Sequence, residues 1–200
     1  KIIKDNLVDK IVQIKNKNKK LFYSLNKTIA GQSHKVKIEK VTKILKKNNL
    51  DFIFITAPEN VAWVLNIRGH DNPSSPIPNS NLIITKDKKK FIIANKNKLK
   101  KLVNEKKISV KEIIEPKSID NFLNKIQGRN ILIDNKSCSI HYEQLLSKKF
   151  RIIKKIDPIY LLKSIKNKIE IKNMIDAHIA DGVALTKFIY WIKKVNKKKI

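Results

Sequence analysis

Apolar positions along this chain fall into short runs of two different periods. Between residues 34 and 48, Ile38, Val41, Ile44 and Leu45 recur at spacings of three and four among lysines, which predicts an amphipathic helix capped by Ser33. Residues 51–56 (DFIFIT) are instead a continuous run of bulky apolar side chains, the signature of a buried strand. Pro58 then stands where a first helical turn accepts proline, and it opens a helix through Leu65. Residues 81–85 and 90–94 repeat the strand pattern around the polar segment 86–89, predicting a hairpin. A helix over 95–105, a strand over 108–114, and a helix started by Pro116 and stopped by Gly128 come next. A strand over 130–134, a helix over 139–148 and a strand over 150–156 complete the series. This alternation predicts an α/β domain, a mixed sheet of about five or six strands flanked by helices.

Three regions depart from that rhythm. Residues 67–80 lose periodicity, and Gly69, Pro73, Pro76 and Pro78 predict a loop that is neither helix nor central strand. Near the start, Leu7, Ile11 and Ile14 predict a short amphipathic helix over 6–14, followed by a lysine- and asparagine-rich connector over 15–20. Near the end, Asp157-Pro158 closes the domain and begins a helical turn through Leu162, with Asp157 as its cap. Residues 167–196 then predict one long amphipathic helix with Ile171, Ile175, His178, Ile179, Gly182, Leu185, Ile189 and Ile192 on one face. So little sequence follows it that this face is expected to dock on a domain outside the 200 residues. The first residue is Lys1 and the last stretch is still helical, so the chain is expected to be a segment of a longer protein.

Charge alters this reading less than its size suggests. The formal net charge is +28, and clustered basic residues gain affinity for polyanions by releasing phosphate counterions. Here only Arg68, Arg129 and Arg151 are arginine, and the lysines are spread along the chain beside abundant isoleucine and asparagine. Those are residues of AT-rich codons, so the charge reads as a solvated surface and no nucleic-acid partner is expected. Cys138 is the one cysteine, which excludes an internal disulfide, and no apolar run approaches the ~18 residues of a membrane span. No membrane partner and a cytoplasmic location are expected.

Chemistry-bearing motifs are absent: there is no His-Glu-x-x-His, no phosphate-binding glycine loop, no paired cysteines and no Gly-x-Ser-x-Gly. His34, His70, His141 and His178 lack ligand spacing. His178 reads as a packed, hydrogen-bonded helix residue, Trp63 and Trp191 as core anchors, and Cys138 as a small packed or loop thiol. No catalytic and no metal-binding residue is assigned. The loop over 68–78 supplies the site candidates: Arg68, His70 and Asp71 are expected on a face turned toward a catalytic cleft or a partner subunit. The competing reading is structural, with Asn66, Arg68 and Asp71 satisfying carbonyls and each other inside the loop.

Three blocks carry a family resemblance. The first holds Asn6-Leu7-Val8-Asp9-Lys10-Ile11 and Ala30-Gly31-Gln32-Ser33. The second, and most specific, is Ile55-Thr56-Ala57-Pro58-Glu59-Asn60-Val61-Ala62-Trp63-Val64-Leu65-Asn66-Ile67-Arg68-Gly69 with Asp71, Pro73 and Pro76. The third is Lys166-Asn167-x-x-Glu170 with residues 177–185 and 188–191. Together they resemble the three-domain Xaa-Pro aminopeptidases (aminopeptidase P) of the creatinase family of metallopeptidases. The sequence departs from the family pattern in its lysine enrichment and at His70, where a smaller residue is more usual.

That resemblance implies a creatinase N-terminal-like α/β domain over 33–157. It implies a connector from a preceding domain over 1–32 and the opening helix of a pita-bread catalytic domain over 158–200. It implies peptides with proline in second position as substrates, a homodimer, and two divalent metal ions, expected to be manganese, held by two Asp, one His and two Glu beyond residue 200. Such a site answers a specific difficulty, because proline offers no N–H to a protease cleft and its ring fixes φ near −65°. The 200 residues alone are expected to be inactive. Two rival expectations remain open at this point: a creatinase-like scaffold that binds peptides or proteins without cleaving them, and a lysine-rich nucleic-acid-binding module.

Overall fold

The computed structural model describes residues 20–195, so the predicted helix over 6–14 and nearly all of the connector over 15–20 lie outside them. In chain order the elements are β1 (Tyr23–Ser24), α1 (Lys27–Ala30), α2 (His34–Lys47), β2 (Phe52–Ile55), α3 (Pro58–Leu65) and β3 (Ile67–Arg68). They continue with β4 (Asn81–Thr85), β5 (Lys90–Ile93), α4 (Lys96–Asn104), β6 (Ile113–Ile114), α5 (Ile119–Lys125), β7 (Asn130–Ile133), α6 (Ile140–Ser147), β8 (Arg151–Lys154), α7 (Ile159–Ser164) and α8 (Lys168–Lys194). Six strands form one mixed sheet in the order β6-β5-β4-β2-β7-β8. The β4–β5 hairpin and the β2–β4 pair are antiparallel, whereas β2–β7, β7–β8 and β5–β6 are parallel.

Strand alternation divides the core into two layers. Ile53, Ile55, Leu82, Ile84, Ile92 and Leu132 turn to the face covered by Ile38, Val41 and Leu45 of α2, Val61 and Val64 of α3, and Leu99 of α4. Phe52, Phe54, Ile83, Ile93, Ile131 and Ile133 turn to the opposite face, beneath Ile119 and Leu123 of α5 and Leu146 of α6. Because both faces are covered, the central strands read as near-continuous apolar runs rather than alternating ones. The mixed, helix-flanked sheet expected from the sequence is therefore present.

Local chemistry sets the helix starts. Ser33 accepts from the Val36 amide and Ser139 from the Tyr142 amide. Asn167 accepts from the amides of Ile169 and Glu170 at 3.0 Å, while Glu170 returns to the Asn167 amide at 2.9 Å, a complete capping box. At the base of the sheet Asp51 gathers β2 and β7. Its Oδ2 accepts the amides of Arg129 and Asn130 at 2.8 and 3.0 Å, and its Oδ1 accepts Lys86 Nζ at 2.7 Å.

Several expectations are corrected. The segment 67–80 does not open as a loop, because Ile67–Arg68 pairs antiparallel with Tyr23–Ser24. A strand of two residues is too short to leave a periodicity in sequence. Only Ile113–Ile114 of the strand expected over 108–114 pairs in the sheet, since Val110–Glu112 forms a 3₁₀ turn with Ser109 and Glu112 as its capping pair. Trp191 is no core anchor within this chain: α8 buries none of its residues, and Trp191 is 57% exposed. His178 is likewise exposed, with Nδ1 against the Met174 carbonyl at 2.8 Å. The apolar stripe that the sequence shows on α8 is real, but beyond its first turns, where α1 packs, the described residues leave it largely exposed.

Candidate functional site

The candidate loop begins where α3 stops. Asn66 adopts the left-handed conformation (φ 53°, ψ 44°) and its amide closes the last turn of α3, so the chain reverses into β3. Gly69 then passes against Pro78: a Cβ at residue 69 would lie 2.7 Å from Pro78 Cα, which is why no larger residue fits. The Gly69 amide donates to the Pro76 carbonyl at 3.1 Å and pins the proline-rich stretch back on its start.

Within this frame the three candidates separate. Arg68 is half-buried, and its Nη1 donates to the carbonyls of Ile67 at 2.9 Å and Ala62 at 3.2 Å. Burial pulls its pKa below the usual arginine range, with Tyr23 opposing weakly. Asp71 accepts the Asn79 amide at 2.7 Å through Oδ2 and pairs with Lys98 of α4 through Oδ1. His70 alone of the three is exposed, its ring 5.4 Å from that of Tyr23. Arg68 and Asp71 thus fasten the loop, the first to the end of α3 and the second to α4, while His70 faces outward. The three side chains form no nucleophile–base arrangement.

Two polar clusters were not legible as sites in the sequence. Lys37, on α2, is 1% exposed; its Nζ donates to Asn66 Oδ1 at 2.7 Å and to the Trp63 carbonyl at 3.0 Å, 4.1 Å above the centroid of the Trp63 ring. Burial is the main cause of its lowered pKa, about 8, with Glu170 pulling the other way. Its signal is a lysine four residues before Val41 on the apolar stripe, hidden among many solvated lysines.

The second cluster lies at the carboxyl ends of β7 and β8. Asp134 and Asp157 are both buried, and the Asp157 amide donates to Asp134 Oδ2 at 2.9 Å. Asp157 Oδ1 caps α7 by accepting the Ile159 amide, and Asp157 Oδ2 accepts Asn60 Nδ2 at 2.7 Å. Lys163 Nζ reaches Asn60 Oδ1 at 2.6 Å and the Tyr160 hydroxyl donates to Glu59 at 3.0 Å, so α7 is tied to α3 along its length. Burial raises the pKa of Asp157, and burial followed by the Glu59 hydrogen bond pushes the Tyr160 phenol up to about 12. Every polar group in this set has a structural partner, which marks it as a fastening rather than a reactive centre.

Cys138 packs against the second core layer, and burial lifts its thiol to about 11, so it is not a nucleophile at neutral pH. An open cleft of about 580 Å³ lies between the β4–β5 turn and Gly128, where Lys86 is occupied by Asp51. Among the described residues no three His, Cys, Asp or Glu side chains converge to hold a metal ion, and no helix is long and apolar enough to cross a membrane. The described residues therefore bring together no ligand set for a dinuclear metal centre.

Comparison with known proteins places this geometry. The chain is 33% identical over 98% of its length to Xaa-Pro aminopeptidase ApepP of Drosophila melanogaster, and 29% identical over 95% to Xaa-Pro aminopeptidase 1 of Dictyostelium discoideum. It spans about a third of those relatives, 33% and 31% of their respective lengths. Its fold matches that of X-prolyl aminopeptidase from Caenorhabditis elegans, described as a cytosolic enzyme with a di-nuclear active site. The TM-score is 0.77 at 22% identity, covering 96% of this chain and 32% of that one. The creatinase/prolidase N-terminal domain family matches residues 14–170, the stretch that holds the mixed sheet, its two helical layers and the fastened loop. With sequence and fold in agreement over that stretch, the chain belongs to the creatinase/prolidase N-terminal domain family.

Proposed function

We propose that this chain is the supporting part of an Xaa-Pro aminopeptidase, which releases the N-terminal residue of peptides that carry proline in second position. One observation carries the reading: similarity to Xaa-Pro aminopeptidases runs over nearly the whole chain, while the chain spans only a third of their length. On this reading residues 33–157 are a non-catalytic α/β domain, 1–32 connect it to a preceding domain, and 158–200 open the catalytic domain. The apolar face of α8 supports that division, since Ile175, Ile179, Phe188 and Trp191 are each more than half exposed. Side chains of this size are normally buried or covered, so the face calls for a partner surface.

Two divalent metal ions, manganese on this reading, would be held by side chains beyond residue 200. They would supply an activated water and polarise the scissile carbonyl. The residues in hand would support and orient. The loop over 68–78, with His70 outermost, would border substrate access or the contact with a second subunit of a homodimer. The net contribution of this chain to the reaction is therefore geometric.

The test uses the complete gene product. It should cleave a short Xaa-Pro peptide in a manganese-dependent manner, and the 200-residue chain alone should give no turnover. A complete product that binds Xaa-Pro peptides but leaves them intact with manganese present would overturn the peptidase reading in favour of a scaffold.

A further inference from the structure

Parts of the three sequence blocks, 30–33, 66–69 and 167–170, are far apart in the chain and meet at one place. On one side, Asn66 Nδ2 donates to the Gln32 carbonyl at 2.7 Å while its Oδ1 accepts Lys37 Nζ. On the other, Asn167 Nδ2 donates to the Ala30 carbonyl at 3.0 Å while its Oδ1 caps α8. Between them Gly31 sits at φ 70°, and a Cβ there would lie 2.1 Å from Asn167 Oδ1. Asn173 Nδ2 extends the seam to the Ile29 carbonyl at 3.1 Å. The backbone of residues 29–32 is thus gripped from one side by the turn that launches the candidate loop, and from the other by the first turns of α8.

Nothing comparable holds the rest of the helix. Among the described residues, the side-chain hydrogen bonds that tie α8 to the body of the chain come from Asn167 and Asn173 alone. At 27 residues α8 is a lever about 40 Å long, so a tilt of about 5° at its base moves its far end by about 3.5 Å. Misplacements of about 1 Å can cost an active site about 100-fold. A base this narrow therefore governs where the far end of α8 stands relative to the loop over 68–78.

We propose that Gly31, Asn66 and Asn167 form an interdomain joint: they set the angle at which α8 leaves the sheet domain and so register the loop over 68–78 with the catalytic half. These are positioning residues, touching no substrate, and the proposal rests on the Xaa-Pro aminopeptidase reading only for its consequence in catalysis. Lys37 braces the same joint by holding Asn66 Oδ1, so the buried ammonium anchors the turn to α2.

Two substitutions open the joint without removing the local structure. Asn66→Gly keeps the left-handed backbone and loses both side-chain bonds. Asn167→Asp keeps a cap as good as asparagine and loses the donor to Ala30. In the complete gene product, spin labels introduced through a non-natural amino acid at positions 111 and 187 report the angle by pulsed electron paramagnetic resonance. Each variant should shift or broaden the distance by several ångströms and lower kcat/KM on a long Xaa-Pro peptide by about ten-fold. The double variant should be no worse than the worse single one, because either break opens the same joint. Asn173→Ala, on an exposed helical position, provides a smaller shift should either of the others fail to fold. Unmoved distances in the folded variants, or effects that simply add, would overturn the joint. The two ideas fail separately: wild-type cleavage with unmoved distances removes the joint alone, whereas shifted distances in a product without Xaa-Pro cleavage remove the peptidase reading alone.

Discussion

The sheet core and helix α8 are built on the same kind of pattern and end in opposite states. Ile38, Val41 and Leu45 on α2 make a stripe that is buried to 5% exposure or less, whereas Ile175, Ile179 and Ile189 on α8 make a similar stripe that stays between 44% and 61% exposed. Periodicity reports that a face wants a partner; it does not report where the partner is. In α2 the partner is the sheet, a few residues away in sequence. For α8 the proposed partner is the remainder of an Xaa-Pro aminopeptidase.

Stability measurements on the chain should break or sharpen that contrast. The largest effect belongs to the sheet: Ile53→Ala should cost about 2–5 kcal/mol in urea unfolding, because a buried side chain is replaced by a cavity. Ile179→Ala in the same chain should stay within about 0.5 kcal/mol. A cost for Ile179→Ala near that of Ile53→Ala would erase the difference between the two regions.

Next in size is the clip at the base of the sheet. Asp51→Asn should lose about 1–3 kcal/mol, since two backbone amides and Lys86 lose a charged acceptor. The amide of Asn130, then Lys86 and the Arg129 amide, hold the Asp51 carboxyl at about 2. A folded pKa below the unfolded value gives stability that is present above about pH 4 and lost as pH falls toward 2. The Asn variant should lack that acid-side loss in a plot of Tm against pH.

Lys37 should give a second, smaller limb of the same sign on the alkaline side. Its folded pKa is about 8, lowered chiefly by burial, so the unfolded chain holds the proton over a range in which the folded chain releases it. Stability from this group therefore rises between about pH 8 and about pH 10. Lys37→Met should flatten that limb of the Tm profile, and a limb that persists unchanged would assign it to another group. The smallest change in fold stability should come from Ile175→Glu with Ile179→Glu on α8. These should leave Tm nearly unmoved while reducing any self-association of the chain in analytical ultracentrifugation.

Much of this architecture was legible because each layer has a strong local cue. The strands Phe52–Ile55, Asn81–Thr85 and Asn130–Ile133 are apolar runs, and Ser33, Pro58 and Asn167 mark helix starts by their own chemistry. What escaped was short or nonlocal. Two-residue strands such as Tyr23–Ser24 have no period, and the value of Asn66 lies in Gln32 and Lys37, which sequence does not place beside it. For the candidate loop, the motif and a carbonyl-satisfying role for Arg68 were legible in sequence, but the partners of Asp71 on Asn79 and α4 were not. Arg68 and Asp71 turn inward to carbonyls, the Asn79 amide and Lys98, and only His70 stays at the surface. Lysine enrichment hid Lys37 for a similar reason, because one buried ammonium looks like any other lysine until its neighbours are known.

Hydrogen exchange over residues 168–194, measured in the 200-residue chain and in the complete gene product, tests the assignment of the uncovered face most directly. Amides around Ile175, Ile179 and Ile189 should exchange at least about ten-fold more slowly in the complete product, where packing joins the helix to a larger cooperative unit. Equal rates in the two proteins would mean that nothing covers the face, and the account of this chain as the supporting part of a peptidase would be contradicted.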